Sequence, residues 1–209
     1  MTTDLTIRDA RTDEFSAIGR LLVEVYSGLA GFPTPAEQPQ YYEMLENIGR
    51  LAERPQARLL VAVAPQGELA GAIVYFGDMA HYGSGGSATC VKNASGIRLL
   101  GVSTRHRNLG AGRALTQACI ELALKAGHAE VILHTTEAMQ IAWRLYERLG
   151  FARSEDLDFS QQGLRVFGFR FRLNWPAWPS DCACCRFRLR PCLEISRRLV
   201  ELGTRQARG

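Results

Sequence analysis

The run from residue 99 to residue 115 limits what this chain can fold into more than any other segment. An apolar strand pattern ends at Val102, a basic turn follows, and Gly110 and Gly112 then open a helical pattern. Backbone N–H groups at a helix start lack intrahelical partners, and the helix dipole favours an anion beside them. The glycines allow a phosphate to approach without a Cβ atom in the way, and Arg107 can add a charge-assisted hydrogen bond. The run therefore predicts a pyrophosphate-binding turn between a strand and a helix.

Two common nucleotide-binding motifs do not fit this turn. A Walker loop requires a lysine after its last glycine, and the chain has only Lys92 and Lys125, neither of which lies in the turn. A dinucleotide fingerprint requires glycine or alanine three residues after Gly112, where this chain has Leu115. That fingerprint also places its glycines directly after the strand. The sequence thus disfavours ATP and NAD as ligands of the turn.

Apolar periodicity along the rest of the chain predicts alternating strands and helices. The strand–helix–strand unit between Ile97 and Thr135 implies a parallel strand pair, whereas the turn at Pro65–Glu68 implies an antiparallel hairpin. An α/β fold with a central mixed sheet and helices on both faces accommodates both connections. The predicted strands are Leu5–Asp9, Arg58–Ala64, Leu69–Phe76, Ile97–Val102, Glu130–Thr135 and Val166–Leu173, and the predicted helices are one capped by Thr12, Tyr41–Glu53, Gly110–Ala126 and Glu137–Leu149.

Two motifs in this frame resemble the GNAT N-acetyltransferase superfamily. The acyl-CoA signature of that family, Arg/Gln-x-x-Gly-x-Gly/Ala after a strand, is matched by Arg107–Gly112. A second family pattern, Ala-x-x-Leu-Tyr-Glu-x-x-Gly-Phe, is matched by Ala142–Phe151. The motifs occur in the family's order and spacing, and the resemblance covers about residues 5–173.

The resemblance implies a mixed sheet of about six to seven strands with a splayed parallel strand pair, and acetyl-CoA as a co-substrate bound at the splay. The pantetheine arm would pair with the backbone of Leu100–Val102, Gly101 would suit a bulge, and the N–H near Val102 would polarise the thioester carbonyl. Tyr146 matches the family's general acid, because a phenol with a pKa near ~10 stays protonated at neutral pH and can protonate the departing thiolate. The implied cofactor-binding residues are Leu100, Val102, Arg107, Asn108, Leu109, Gly110, Ala111 and Gly112.

Three departures from the family pattern bear on mechanism. Asn108 replaces a glycine that many members have after the arginine, so we expect Asn108 in the left-handed conformation that asparagine tolerates. Met139 stands where many members have asparagine, which puts one polar contact to the cofactor in question. Arg98 lies on the strand that often carries the family's glutamate base. The sequence leaves the general base open among water and four side chains, which are Glu43, Glu46, Asp78 and His134.

The predicted function is acetyl-CoA-dependent N-acetyltransfer, by direct attack, to a primary amine of a small molecule or a peptide. The alternative is a non-catalytic acyl-CoA-binding or sensing domain, since the strand before the turn offers no acid. Turnover separates these two functions. Dimers are common in the family, so a homodimer is an open expectation.

The segment Gly77–Gly96 includes the glycine-rich run Gly83–Ser87 and predicts a long flexible loop. Loops of this length inside compact domains are usually functional lids or disordered. Because the segment enters just before the strand at Ile97, its ends are expected near the acceptor. A lid and plain disorder are the two alternatives.

Charge and cysteine content separate residues 174–209 from the rest of the chain. This tail holds seven arginines, no lysine and three acids, whereas residues 1–173 hold 18 basic and 18 acidic residues and are neutral. We predict an N-acetyltransferase domain over residues 5–173 and an Arg/Cys/Pro-rich tail over 174–209 outside the core fold. A neutral body disfavours nucleic acid as a partner, although an interaction role for the tail is a third alternative. Cys182 and Cys185 have metal-knuckle spacing, but the tail lacks histidine and a second close pair, so we predict no metal site.

Location is predicted from three features of the sequence. No run of 18 apolar residues occurs, and Met1–Ala10 is polar and mixed in charge, so neither a membrane span nor a signal peptide is predicted. Residues 1–173 hold only Cys90 and Cys119, which do not make a secreted disulfide framework. We therefore expect a cytoplasmic protein.

Overall fold

Eight strands form one mixed sheet in the computed structural model, which describes residues 5–173. The strands are β1 (Thr6–Asp9), β2 (Ala57–Val63), β3 (Leu69–Phe76), β4 (Ala94–Val102), β5 (Glu130–Thr135), β6 (Ala152–Arg153), β7 (Phe159–Gln161) and β8 (Leu164–Arg172). Their order across the sheet is β1-β2-β3-β4-β5-β8-β6, and β7 pairs with β8. The number of strands exceeds the prediction because β6 and β7 are too short to show alternation. The predictions for the tail lie outside the described residues.

Within residues 5–173, five α-helices cover the two faces of the sheet. They are α1 (Phe15–Ser27), α2 (Pro39–Glu46), α3 (Gly49–Ala52), α4 (Ala111–Ala126) and α5 (Gln140–Leu149). Side chains alternate along β2, so that Leu59 and Val61 join the core under α1–α3, whereas Leu60 and Ala62 join the core under α4 and α5. We call these sides the α1 face and the α4 face. The predicted α/β fold, a mixed sheet with helices on both faces, is confirmed.

β4 and β5 are parallel, and they pair only over their first four residues. Their paired residues extend from Ala94 opposite Glu130 to Ile97 opposite Leu133. β4 continues to Val102 beside β3, whereas within the described residues its pairing with β5 ends at Ile97. The predicted splayed pair is confirmed, and we call the opening between the two strands the splay gap.

A β-bulge lies in β4 at the splay gap. The register between β3 and β4 shifts so that two residues, Leu99 and Leu100, face a single residue of β3. Leu99 has a left-handed backbone with φ 57°. The prediction of a bulge at Gly101 is wrong, because Gly101 lies beyond it and packs closely against α1. A Cβ atom added at Gly101 would lie 2.6 Å from Leu22 Cδ2.

Three helix predictions differ from the structure at their boundaries. The helix predicted over Tyr41–Glu53 is interrupted at Asn47, where ψ is 38°, and this divides it into α2 and α3. A 3₁₀ turn over Thr12–Glu14 precedes α1, and its N-cap is Arg11 rather than Thr12. The Glu14 carboxylate accepts the Arg11 N–H at 2.8 Å and so closes this turn. The helix predicted from Glu137 likewise begins as a 3₁₀ turn before α5.

The segment Gly77–Gly96 packs side chains into the core and is not a disordered loop. It contains two 3₁₀ turns, and the Met79, Tyr82 and Ala88 side chains are 2% exposed or less. Its glycine-rich part packs closely against the Phe159 ring of β7. Cβ atoms added at Gly85 or Gly86 would come within 2.7 or 3.0 Å of that ring. A lid role for this segment stays a prediction.

Candidate active site

The basic turn after β4 presents free backbone N–H groups at the start of α4. The first intrahelical hydrogen bond is donated by Ala114 N–H to the Gly110 carbonyl at 2.9 Å. The N–H groups of Ala111, Gly112 and Arg113 therefore have no helical partner, and the positive end of the helix dipole lies beside them. This geometry can hold an anion.

Left-handed backbone conformations shape the turn. Asn108 has φ 65° and Gly110 has φ 82°, so the expectation for Asn108 is confirmed. A Cβ atom added at Gly110 would meet nothing within 4 Å, so this glycine is required for its conformation. Gly112 differs, because a Cβ atom there would lie 3.3 Å from Leu145 and 3.5 Å from Val102. The start of α4 thus packs directly against the end of β4 and against α5.

Three exposed arginines surround this turn, namely Arg105, Arg107 and Arg113. Among residues 5–173 none of them forms an ion pair. His106 is the basic residue of the turn that has an acidic partner, with Nε2 3.0 Å from the Glu68 carboxylate. The arginines and the helix dipole together give this surface a positive potential.

The backbone of β4 faces the splay gap at two of the predicted positions. Ser103 N–H donates to the Ala70 carbonyl of β3 at 2.9 Å. Because backbone groups alternate sides along an extended strand, we infer that those of Val102 and Leu100 point away from β3 into the gap. From the α1 face, the Tyr26 hydroxyl approaches the Leu100 carbonyl at 3.5 Å. The structure therefore brings the predicted cofactor-binding residues together along one path, and their role stays a prediction.

Tyr146, the predicted general acid, lies on α5 and in the core of the α4 face. Its side chain is 5% exposed, and its ring centroid lies 5.8 Å from that of Phe151. Burial raises the pKa of Tyr146 above that of a free phenol, because the phenolate would lose its hydration. The hydroxyl therefore keeps its proton at neutral pH. Its catalytic role stays a prediction.

A pocket on the α1 face was not predicted from the sequence. It encloses about 670 Å³, including space open to solvent, and it adjoins the splay gap because Leu99 of β4 and Thr135 of β5 both line it. Tyr26, Phe32 and Tyr41 form one wall, with ring centroids 5.6 to 5.9 Å apart. We call this site the aromatic pocket.

Sequence analysis missed the aromatic pocket because its residues come from distant segments. Tyr26 of α1, Tyr41 of α2 and Phe159 of β7 all line it. One usable signal was the pair Tyr41–Tyr42, which stands at the start of a predicted helix. Nothing in that pair, however, indicates which strands it faces.

His134 lies beside the aromatic pocket with both ring nitrogens in hydrogen bonds. Its Nε2 lies 3.0 Å from the Leu157 carbonyl, which can only accept, so Nε2 carries the proton. Its Nδ1 then accepts from the Tyr82 hydroxyl at 3.0 Å. Burial lowers the pKa of His134 to about 4. The imidazole is therefore a weak base with both nitrogens occupied.

The carboxylates left open as general bases lie outside the aromatic pocket. Glu43 and Glu46 are exposed on α2, and Asp78 accepts the Ala80 N–H at 2.9 Å to cap a 3₁₀ turn. Within the described residues, no aspartate or glutamate lines the pocket. Of the alternatives, His134 and water are the ones that reach it.

Between residues 5 and 173, no helix combines the length and apolarity that crossing a bilayer requires. In that range no group of three His, Cys, Asp or Glu side chains is arranged to hold a metal ion. Cys182 and Cys185 lie outside the described residues.

Comparison with known proteins places the sequence in one family. A family model described as "Acetyltransferase (GNAT) family" matches residues 21–151. The chain is 33% identical over 64 residues to N-acetyltransferase family 8 member 3 of Rattus norvegicus, a match that covers 31% of this chain and 28% of the rat protein. The chain spans about a quarter of the length of the curated relatives it matches.

Solved structures show the same fold. The chain aligns with an acetyltransferase of the GNAT family from Staphylococcus aureus at a TM-score of 0.60 and 16% identity, covering 79% of this chain and 98% of that one. It aligns equally well with the PaiA N-acetyltransferase of Thermoplasma acidophilum in complex with coenzyme A, at a TM-score of 0.60 and 16% identity, covering 80% and 99%. With the family model matching well over half of its residues, this chain belongs to the GNAT acetyltransferase family.

Proposed function

We propose that the protein is an acetyl-CoA-dependent N-acetyltransferase that acts on a primary amine of a small molecule or a peptide. One observation carries the proposal. The splay gap lies between an anion-attracting helix start on the α4 face and the aromatic pocket on the α1 face. An opening of this kind lets a thioester from one side meet an amine from the other.

On the donor side, the residues from Arg107 to Gly112 bind the pyrophosphate. The N–H groups at the start of α4 donate to it, and the Arg107 guanidinium adds a charge-assisted hydrogen bond. Asn108, Leu109 and Gly110 form the turn that aims these N–H groups. The backbone groups of Leu100 and Val102 pair with the amides of the pantetheine arm along the splay gap.

In the transfer step, the amine nitrogen bonds to the acyl carbon and the carbon–sulfur bond breaks. The N–H near Val102 stabilises the negative charge that develops on the carbonyl oxygen. Tyr146 donates its hydroxyl proton to the departing sulfur and regains a proton from solvent. The amine releases its proton to water, because the carboxylate-free pocket and the weakly basic His134 offer no strong acceptor.

The same lack of a strong base favours a second function, a non-catalytic acyl-CoA-binding domain. Such a domain would keep the turn and its arginines and would release no thiol. Turnover with any amine excludes it. The cytoplasmic location and the homodimer stay predictions.

Thermal-shift titration with acetyl-CoA, CoA, ATP and NAD tests the donor side. A ligand at about 1,000 times its Kd stabilises a protein by roughly 4 kcal/mol, so we expect a shift with acetyl-CoA and CoA but none with ATP or NAD. Thiol release with a panel of amines then tests turnover. No shift with CoA in a folded sample would contradict the proposal.

Arg107→Ala and Arg172→Ala form a matched pair for the same titration. Both arginines are exposed, but Arg172 lies in β8. We expect Arg107→Ala to weaken CoA binding about 10-fold, in line with a charge-assisted hydrogen bond, and Arg172→Ala to have no effect. Equal losses would instead indicate a general effect of net charge.

A further inference from the structure

The aromatic pocket has an unusual charge for a site that takes an amine. Its described lining contains Arg98 and neither an aspartate nor a glutamate. A protonated amine or a polyamine would meet a cation there with no carboxylate to balance it. The pocket therefore disfavours substrates that carry only positive charge.

Arg98 is held in place with part of its hydrogen-bonding capacity unused. Its Nη1 donates to the Tyr82 carbonyl at 2.8 Å and to the Gly83 carbonyl at 2.6 Å, and its Cζ lies 5.6 Å from the Tyr82 ring centroid. Those bonds occupy one of three guanidinium nitrogens. No carboxylate of residues 5–173 pairs with Arg98. A half-buried guanidinium without an anionic partner is a ready receptor for a carboxylate.

Two hydroxyl groups in the same pocket also lack partners. Thr135 and Thr136 are 2% and 4% exposed, and their Oγ1 atoms are buried without a hydrogen bond to the described protein atoms. Both residues line the pocket at the end of β5. A buried hydroxyl without a partner is unfavourable, so a polar group of a ligand that reaches it would be favoured there.

The aromatic and aliphatic part of the lining favours an apolar substituent. Phe32 is 9% exposed and Tyr26 is 5% exposed, and both belong to the core on the α1 face. Phe159 and Leu164 also line the pocket. Aromatic walls of this kind bind aromatic or long aliphatic groups.

We propose that the acceptor is an amine that also carries a carboxylate and an apolar side chain, such as an aromatic α-amino acid. This inference rests on the proposed acetyltransferase function. Arg98 binds the carboxylate, the unpartnered threonine hydroxyls supply further polar contacts, and the aromatic wall holds the side chain. The amine is thereby directed to the splay gap, where it attacks the acyl carbon as described above.

Three probes that share one side chain test the proposal, namely L-phenylalanine, L-phenylalaninamide and phenethylamine. We would measure their binding to CoA-saturated protein by calorimetry and their turnover with acetyl-CoA by thiol release. Phenylalanine should bind and react roughly 10- to 100-fold better than the other two, because only it pairs with Arg98. Phenethylamine binding equally well or better, or no binding of any probe, would overturn the inference.

Variants at Arg98 make the test specific. Arg98→Gln should reduce the preference for phenylalanine over phenethylamine to about one, and Arg98→Lys, which retains the charge, should keep most of it. Arg172→Gln is the matched control, and an unchanged thermal shift with CoA shows that each variant is folded. A preference retained in Arg98→Gln would overturn the role of Arg98.

The two proposals fail separately in this design. Preferential binding of phenylalanine without thiol release from any amine would contradict the acetyltransferase function and leave the carboxylate site in place. Thiol release with phenethylamine but not with phenylalanine would support the acetyltransferase function and overturn the acceptor class.

Discussion

The basic turn and the aromatic pocket adjoin the same gap but are built in different ways. The turn consists of consecutive residues, 107–112, and presents backbone N–H groups. The pocket collects side chains from α1, α2, β4, β5, β7 and the segment before β4. A site made of backbone depends on local conformation, whereas a site made of side chains depends on tertiary packing. We therefore expect changes in the turn to affect every acceptor alike and changes in the pocket to alter acceptor choice.

The largest expected effect comes from Tyr146, which belongs to the donor side. Tyr146→Phe removes the proposed proton donor and keeps the ring, so kcat should fall about 10²- to 10⁴-fold with little change in CoA affinity. Thiol-release kinetics and a CoA titration would measure the two quantities. Tyr75→Phe is the control, because it removes a buried hydroxyl, bonded to Ser95 at 2.9 Å, from the same core. An unchanged kcat in Tyr146→Phe would assign the proton transfer to another group.

The next largest effect comes from His134 on the acceptor side, and it is an effect on the free energy of unfolding. The pKa of His134 is about 4 in the folded protein and 6.5 for the ordinary side chain, with burial as the main cause. Between these values the unfolded chain binds more protons, so His134 should lower the free energy of unfolding by about 3 kcal/mol as the pH falls from 6.5 to 4. Denaturant titrations across this range would measure the slope.

His134→Gln is the variant that sharpens this prediction. Glutamine can still bond to the Leu157 carbonyl and to Tyr82 but does not titrate, so most of the slope between pH 6.5 and 4 should disappear. Glu14 and Asp156 have pKa values lowered to about 2 by partners that include Arg8 and Arg170, so their stabilising effect is lost mainly as the pH falls below 4.5, and the slope above that pH tests His134. The same slope in His134→Gln would assign it to other groups.

The smallest expected effect comes from Gly110 in the turn, where a matched glycine separates the cost in backbone conformation from the loss of CoA binding. Gly110 and Gly127 flank α4 with φ 82° and 77°, and an added Cβ atom meets nothing within 4 Å at either one. Each Gly→Ala change should cost about 1–2 kcal/mol of stability, because alanine disfavours a left-handed backbone. Only Gly110→Ala should also weaken CoA binding. Thermal unfolding with and without CoA measures both effects, and equal CoA shifts in the two variants would remove Gly110 from the binding site.

Features encoded by adjacent residues could be predicted from the sequence, and features set by long-range contacts could not. The spacing of Gly110 and Gly112 after a strand was sufficient to place a helix start, and Asn108 was sufficient to predict a left-handed residue. The bulge was placed wrongly because leucine carries no local signal for a positive φ. The register with β3 imposes that conformation on Leu99.

The same reason explains why the pocket and the tautomer of His134 were not predicted. His134 is uncharged because burial lowers its pKa, and its tautomer is fixed by the Leu157 carbonyl, which lies 23 positions away in the chain. Arg98 and Phe159 line the same pocket because of the way the β7–β8 hairpin packs beside the rest of the sheet. Sequence periodicity describes which face a residue occupies within its own element, but it does not state which other elements share that face.

The bulge at Leu99 has a consequence for how substrate choice could change. Consecutive side chains of a regular strand point to opposite faces, yet Arg98 and Leu99 both line the aromatic pocket. Beyond the bulge the alternation resumes, so that Leu100 and Val102 contact the α4 face. Deleting one residue at the bulge would move all the β4 side chains on one side of the deletion to the opposite face of the sheet. Specificity for a new acceptor should therefore be easier to reach through substitutions in α1, α2 and β7. An insertion or deletion in β4 would instead alter the positions of both the acyl donor and the acceptor.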